Sequence, residues 1–187
     1  MSASRYYKAQ AVILKRRSVG ETDRIITLFT REHGKISAVA RGVRRISSRR
    51  AGHIEVFSHV SVTLYHGKTM DTVIEVERRL PWADLPVNDL WHLSHSYYIC
   101  ELVDKLLPER QRDVDVYESL TSSLQKVFRC KSVREAEETV YTFALSLLWS
   151  LGYLPRSEWM HEASVAPFIE RIIERRLHTW ALLKKIG

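Results

Sequence analysis

The sequence predicts an α+β protein of two domains, a small five-stranded barrel followed by an all-α region. Two observations support this fold class. Up to about residue 80, apolar residues form short or alternating runs separated by glycine, whereas from residue 89 onward they recur at intervals of three and four. The period changes near Leu80-Pro81-Trp82. We therefore predict one domain over residues 1–80 and a second over residues 81–187.

Five short segments of the first region have the composition of β-strands. The predicted strands cover residues 9–15, 24–30, 36–40, 60–65 and 71–77. Turn-forming residues around Gly20, Gly34 and Gly67 separate strands that are neighbours in the sequence. Because five strands in about 80 residues are typical of a small antiparallel barrel, we predict an OB-fold.

Four helices are predicted in the second region. The first begins at Asp89 and ends before Pro108, and the others cover residues 116–128, 133–151 and 165–184. The predicted apolar face of the first helix consists of Leu90, Leu93, Tyr97, Cys100, Val103 and Leu107. Ser164 is the predicted N-cap of the last helix, and Pro167 falls within its first turn, where proline is tolerated.

Excess positive charge is confined to the predicted barrel. Residues 1–80 contain 16 lysines and arginines against 7 acidic residues, and residues 81–187 contain 13 against 15. The formal net charge of +7 thus comes entirely from the first region. A surface charged only for solubility has no reason to follow a domain boundary, so this asymmetry favours a dedicated surface for a polyanion.

The residues most suited to a phosphate backbone lie in the segment 34–52 and around the first turn. The segment contains two arginine pairs and no acidic residue, a composition that cannot form a core. Arginine and lysine would there neutralise phosphates without reading bases. The predicted binding residues are Lys35, Arg41, Arg44, Arg45, Arg49 and Arg50, together with Lys15, Arg16, Arg17 and Arg24. The alternative is a solvated basic face without a ligand.

Aromatic residues of the barrel could add stacking platforms for unpaired bases. Aromatic stacking contributes about 1 to 3 kcal/mol per base in proteins that bind single strands. The candidates are Tyr6, Tyr7, Phe29, Phe57 and Tyr65. At least half of such residues fill the core of a small barrel, and the sequence does not distinguish the two groups.

The sequence contains little that indicates catalysis, a cofactor or a membrane. The hydrolase, zinc-protease and nucleotide-binding signatures GxSxG, HExxH, GxxxxGK[ST] and GxGxxG are all missing. His92 and His95 follow Asp89 at a spacing possible for metal ligands, but a third ligand is not evident. Two cysteines without a CxxC motif exclude a four-cysteine zinc site and are better explained as small buried residues. We predict a cytoplasmic, non-enzymatic protein without cofactor or membrane span.

Several elements, taken in order, resemble the RecO family of bacterial recombination mediators. The first is the turn and strand Gly20-Glu21-Thr22-Asp23-Arg24-Ile25, followed by Gly34-Lys35 and by Ala40-Arg41-Gly42-Val43-Arg44. The similarity continues through Leu64-Tyr65-His66-Gly67 and reaches Leu151-Gly152-Tyr153 with Pro155. The resemblance is strongest over the first 80 residues or so, and it depends on the order and spacing of the elements together.

This resemblance implies an OB-fold that binds single- and double-stranded DNA, and a helical domain. Such proteins anneal complementary strands coated with single-strand-binding protein and act with a RecR-like mediator to load the recombinase at gaps in DNA. They require no nucleotide and are associated with the bacterial nucleoid. By position, Lys35, Arg41 and Arg44 correspond to basic residues that the family's barrel presents to DNA.

The sequence departs from the family where many members insert a four-cysteine zinc module. Here residues 156–161 lead from the Leu-Gly-Tyr element almost directly into the last predicted helix. Structural zinc is therefore not expected.

Two other functions fit the same residues. The first is an RNA-binding barrel associated with translation, because nothing in the sequence selects for or against a 2′-hydroxyl. The second is an adaptor whose helices bind a protein while the basic barrel only steers its approach.

Overall fold

A computed structural model describes residues 5–43, 54–80, 90–180 and 183. The chain divides into two compact units. The first comprises Met1–Ala83 and Leu107–Tyr117, and the second comprises Asp84–Leu106 and Glu118–Gly187. The predicted division into residues 1–80 and 81–187 stays a prediction, and the return of Leu107–Tyr117 to the first unit was not anticipated.

The first unit, here called the barrel unit, contains a closed five-stranded barrel. Its strands are β1 (Tyr6–Val19), β2 (Asp23–Thr30), β3 (Gly34–Ala40), β4 (His59–Tyr65) and β5 (Asp71–Leu80). They are hydrogen-bonded in the order β1-β2-β3-β5-β4, and β4 returns to β1. All pairings are antiparallel except β3 with β5. The predicted OB-fold is confirmed, and each of the five predicted strands corresponds to one observed strand.

Strand β1 closes the barrel because it pairs with two neighbours along its length. Its first half pairs with β4 from Tyr6 to Val12, and its second half pairs with β2 from Ala11 to Val19. The register shifts between Ile13 and Lys15, as in a β-bulge, which bends a strand and increases its twist. At this point Ile13 exchanges backbone hydrogen bonds with Phe57 and Ser58.

Small and branched apolar residues fill the barrel. Alanines at positions 9, 11, 38 and 40 leave room for the larger side chains of Ile13, Ile26, Leu28, Ile36 and Leu64, all of which are almost inaccessible to solvent. Alternation along each strand then places the intervening residues on the outside, where a ligand can reach them.

The segment Leu107–Tyr117, here called the connecting segment, packs on the barrel as part of the first unit. Its backbone runs beside β3, where the amide of Arg110 donates to the carbonyl of Lys35 at 2.8 Å. At its end, the hydroxyl of Tyr117 lies 2.8 Å from Nε2 of His59, and its ring contacts Phe29. The connecting segment therefore covers part of the outer surface of the barrel.

His59 makes the stability of this unit depend on pH. Burial, together with repulsion from Arg79, lowers the pKa of His59 from 6.5 to about 4. Between pH 6.5 and pH 4, His59 binds a proton in the unfolded chain but not in the folded barrel. The barrel therefore loses stability as pH falls through this range. The full loss is about 3 kcal/mol. Urea unfolding across this range should show a clearly shallower dependence for His59→Gln. An equally steep loss in the variant would contradict this assignment.

The second unit, here called the helical unit, contains the helices. They are α1 (Leu90–Leu106), α3 (Val133–Ser150) and α4 (Glu162–Ile173), together with α2 (Val114–Val127), whose first turn belongs to the barrel unit. Ser132 caps α3 by accepting a hydrogen bond from the amide of Glu135. Among the described residues, no helix combines the length and apolar character needed to cross a bilayer.

The predicted apolar face of α1 is wrong in its first half. Leu90 is 63% exposed and Tyr97 is 46% exposed, whereas His92, His95 and Ile99 are buried. Each of the two histidines places one ring nitrogen near a backbone carbonyl, which offsets part of the cost of burial: Nε2 of His92 lies 3.2 Å from the carbonyl of Cys130, and Nδ1 of His95 lies 2.6 Å from that of Trp91.

The predicted last helix, 165–184, is wrong in both its start and its extent. Helix α4 begins three residues earlier, with His161 rather than Ser164 as its N-cap, and ends at Ile173 because Glu174 adopts a left-handed conformation. A further helical stretch begins at His178, where the carboxylate of Glu101 accepts from the amides of His178 and Thr179. This carboxylate caps a separate helical start that the apolar periodicity did not reveal.

Candidate nucleic-acid interface

The strand register places Lys15 and Arg17 on the outside of the barrel. Lys15 is the partner of Thr27 and Arg17 is the partner of Ile25, while the intervening Arg16 is the partner of the core residue Ile26. Cross-strand partners lie on the same face of a sheet. Both Lys15 and Arg17 are exposed, so their charges are available to a ligand in solution.

These two cations border a shallow surface formed by three strands, here called the outer wall. It consists of the outward residues Lys15, Arg17, Ile25, Thr27, Ser37 and Val39. The four central residues are partly exposed. Two acids near this surface are already hydrogen-bonded: Asp23 accepts from the amide of Gly42 at 2.8 Å, and Glu109 accepts from the hydroxyl of Ser37 at 3.2 Å. A third acid, Glu21, is exposed in the turn between β1 and β2.

Two further predicted cations lie along β3 and just after it. Arg41 is exposed in the turn that follows β3. Lys35 is the partner of Phe29 and so faces outward, but it is only 8% exposed because the connecting segment runs beside it. Arg41 is therefore the better placed of the two to reach a phosphate.

Arg16 and Arg24 have a different environment. Both guanidinium groups contact the same carboxylate oxygen of Glu55, Arg24 at 3.4 Å and Arg16 more closely. The side chain of Arg16 is 33% exposed, and that of Arg24 is 20% exposed. The register places both on the core-facing side, since Arg16 is the partner of Ile26 and Arg24 is the partner of Ala40. These two arginines are thus already neutralised in part by an internal acid.

The remaining predicted cations, Arg44, Arg45, Arg49 and Arg50, lie outside the described residues. Their assignment as binding residues stays a prediction.

A second ionic cluster lies at the other end of β1, and the sequence analysis missed it. The side chain of Asp71 is fully buried and accepts from the hydroxyl of Tyr7 at 2.5 Å and from Nη2 of Arg110 at 2.9 Å. Nδ1 of His66 lies 2.9 Å from its other oxygen. Burial alone would raise the pKa of Asp71, but the hydrogen bonds from Tyr7, Arg110 and His66 keep this pKa below its ordinary value.

The structure separates the five aromatic candidates. Phe29 and Phe57 are buried, and Tyr7 directs its hydroxyl to Asp71. Tyr6 is 56% exposed, and its ring lies 5.1 Å from that of the half-buried Tyr65 in an edge-to-face arrangement. Only Tyr6 and Tyr65 among the five therefore present ring surface in a form that a base could use.

The histidine pair considered for a metal is otherwise engaged. His92 and His95 contact backbone carbonyls of the helical unit, and Asp89 lies outside the described residues. The described part of the chain contains no cluster of three or more histidine, cysteine or acidic side chains suited to a metal ion. Cys100 is buried, which raises the pKa of its thiol, and Cys130 is partly buried.

Comparison with protein families identifies both parts of the chain. The family model described as "Recombination protein O N terminal" matches residues 1–79, which include the whole barrel except Leu80 and the connecting segment. The model described as "Recombination protein O C terminal" matches residues 87–163, which include α1, α2 and α3. The chain belongs to the RecO family. The resemblance inferred from the order of the sequence elements is therefore confirmed.

Curated relatives agree with this assignment. A DNA repair protein RecO from Symbiobacterium thermophilum is 39% identical over 149 residues, which cover 80% of this chain and 58% of that protein. Similar proteins from Heliobacterium modesticaldum and Pelotomaculum thermopropionicum are 38% and 36% identical and cover 81% and 80% of this chain. The chain spans 53% to 58% of the length of these three RecO relatives.

Proposed function

We propose that the chain binds single- and double-stranded DNA through the outer wall of its barrel and serves DNA repair and recombination as a non-enzymatic mediator. The observation that carries this proposal is the exposure of Lys15 and Arg17 on the outer wall, with Arg41 in the turn after β3. Cations beside partly apolar strand residues suit a sugar-phosphate chain, which needs charge neutralisation and a surface to lie on. The names of the RecO relatives support the repair role.

Membership of the RecO family extends the proposal to strand annealing and recombinase loading. We propose that the barrel holds DNA while the chain acts with single-strand-binding protein and a RecR-like mediator in the bacterial cytoplasm, near the nucleoid. Annealing requires that a protein hold phosphates without occupying base edges, and backbone contacts by arginine and lysine meet that requirement.

The experiment that tests DNA binding removes the two wall cations together. We expect Lys15→Ala/Arg17→Ala to weaken the binding of fluorescent single-stranded and duplex oligonucleotides about tenfold, because both side chains would contact phosphates. The loss should not depend on base sequence, since phosphates are the same everywhere.

The matched control is Arg175→Ala/Arg176→Ala, which removes two exposed cations from the helical unit. Its affinity should remain within about twofold of the parent. Equal losses in the two variants would show that only net charge matters, and this result would contradict a site on the outer wall. A matched RNA strand that binds more tightly than DNA would favour the translation alternative.

A further inference from the structure

The aromatic pair Tyr6 and Tyr65 is surrounded by positive charge. Nη1 of Arg5 donates to the hydroxyl of Tyr65 at 3.1 Å, which holds a cation against the ring pair. Lys8 follows on the same strand and Lys68 follows in the turn after β4, and both are exposed. Besides the buried Asp71, β5 carries Glu75, the partner of Thr63, which accepts from the hydroxyl of that residue at 3.3 Å.

The ring pair is held on a rigid support. Tyr7 and His66, the residues that follow Tyr6 and Tyr65, both direct their side chains to the buried carboxylate of Asp71. The strands carrying the two rings are therefore anchored from below by a common acceptor. A platform fixed in advance loses little conformational entropy when a planar ligand stacks on it.

The aromatic pair is separate from the outer wall. Tyr6 lies in the part of β1 that pairs with β4, where Tyr65 is its partner, whereas Lys15 and Arg17 lie in the part that pairs with β2. The separation of Tyr6 from Lys15 along β1 corresponds to roughly 30 Å of strand at about 3.3 Å per residue. A ligand on the outer wall therefore leaves the rings accessible.

We propose that Tyr6 and Tyr65, together with Arg5 and Lys8, form a base-stacking site for single-stranded nucleic acid, distinct from the phosphate contacts of the outer wall. This inference rests on the proposed function and specifies a second contact within it. Exposed rings beside cations match a single strand, because unpaired bases offer planar faces and the backbone offers negative charge. Duplex DNA keeps its bases stacked internally and gains nothing from the rings.

The test compares two proteins on two ligands. The double variant Tyr6→Ser/Tyr65→Ser and the parent are titrated with a fluorescent oligothymidylate and with an abasic strand of the same length. The parent should prefer the strand with bases, and the variant should lose this preference by between about fivefold and a hundredfold. Binding to the abasic strand and to duplex DNA should be equal in the two proteins.

Two controls separate stacking from structural damage. Tyr6→Phe/Tyr65→Phe keeps both rings and should keep the preference for bases, and Tyr153→Ser removes a tyrosine that is 42% exposed in the helical unit and should change nothing. Circular dichroism and thermal unfolding should show the serine variant folded, because Tyr6 is mostly exposed. If that variant unfolds, the single change Tyr6→Ser replaces it and should lose part of the preference.

The outcomes distinguish this inference from the function on which it rests. If the serine variant prefers bases as strongly as the parent, or if the parent shows no preference, the stacking site is overturned while phosphate binding by the outer wall stands. If the parent binds none of the strands, the site and the proposed function are both overturned.

Discussion

Replacement of Asp71 by Asn is expected to lower the free energy of unfolding of the barrel unit by about 3 kcal/mol. The carboxylate is fully buried and accepts hydrogen bonds from the hydroxyl of Tyr7 and from Nη2 of Arg110. Nδ1 of His66 lies 2.9 Å from its other oxygen. Removing one partner of a buried ion pair commonly costs about 3 to 5 kcal/mol. The lower figure applies because the side chain of Arg110 is 52% exposed and water screens its charge.

Urea unfolding of the parent and the variant checks this value. The control Tyr7→Phe deletes only one donor to the same carboxylate and should cost about 1 kcal/mol. Since the folded-state pKa of Asp71 lies below 3.8, its contribution is present above that pH and is lost as pH falls through the folded pKa. A variant within about 0.5 kcal/mol of the parent at neutral pH would contradict a structural role for this cluster.

Replacement of Gly34 by Ala is expected to destabilise the barrel unit by about 3 kcal/mol or more. Gly34 has a φ of +70°, and a Cβ atom built there would lie 2.0 Å from the carbonyl oxygen of Gln111. The neighbour is backbone of the connecting segment, which cannot rotate away as a side chain could. The substitution therefore adds a collision to the cost of a left-handed conformation.

Gly20→Ala is the matched control for this prediction. Gly20 has a φ of +57°, but a Cβ atom there meets nothing within 4 Å. This variant should lose only about 1 kcal/mol, the cost of the conformation alone. Equal losses at the two glycines, measured by urea unfolding, would show that the contact between β3 and the connecting segment is not rigid.

The sequence was sufficient to predict the barrel strands because their apolar residues form short runs or alternate between polar neighbours. It was insufficient for α1, where apolar spacing placed Leu90 and Tyr97 in the core and the structure buries His92 and His95 instead. Hydrogen bonds to backbone carbonyls outweigh the polarity of these rings, and such bonds leave no periodic signature. The same reason explains the last helix, which is divided by the conformation of Glu174 and restarted by a cap from Glu101.

The candidate site was predictable in composition but not in geometry. The sequence groups four cations as one cluster: Lys15, Arg16, Arg17 and Arg24. Strand alternation places Lys15 and Arg17 outside the barrel, whereas Arg16 and Arg24 turn to the other face and contact Glu55. Glu55 lies far from them in the sequence, so no local pattern predicts the pairing. Asp71 and Arg110 were missed for the same reason, since the contact between them depends on the return of the connecting segment to the barrel.

The most direct test of the central claim is a salt titration of single-stranded DNA binding by the parent chain. The outer wall and the following turn offer Lys15, Arg17 and Arg41. Three phosphate contacts predict that the logarithm of the association constant falls with the logarithm of salt concentration with a slope of about −2 or steeper. In Lys15→Ala/Arg17→Ala the slope should become shallower by about 1.4. An affinity independent of salt, or a slope unchanged by the two substitutions, would contradict phosphate binding by this wall.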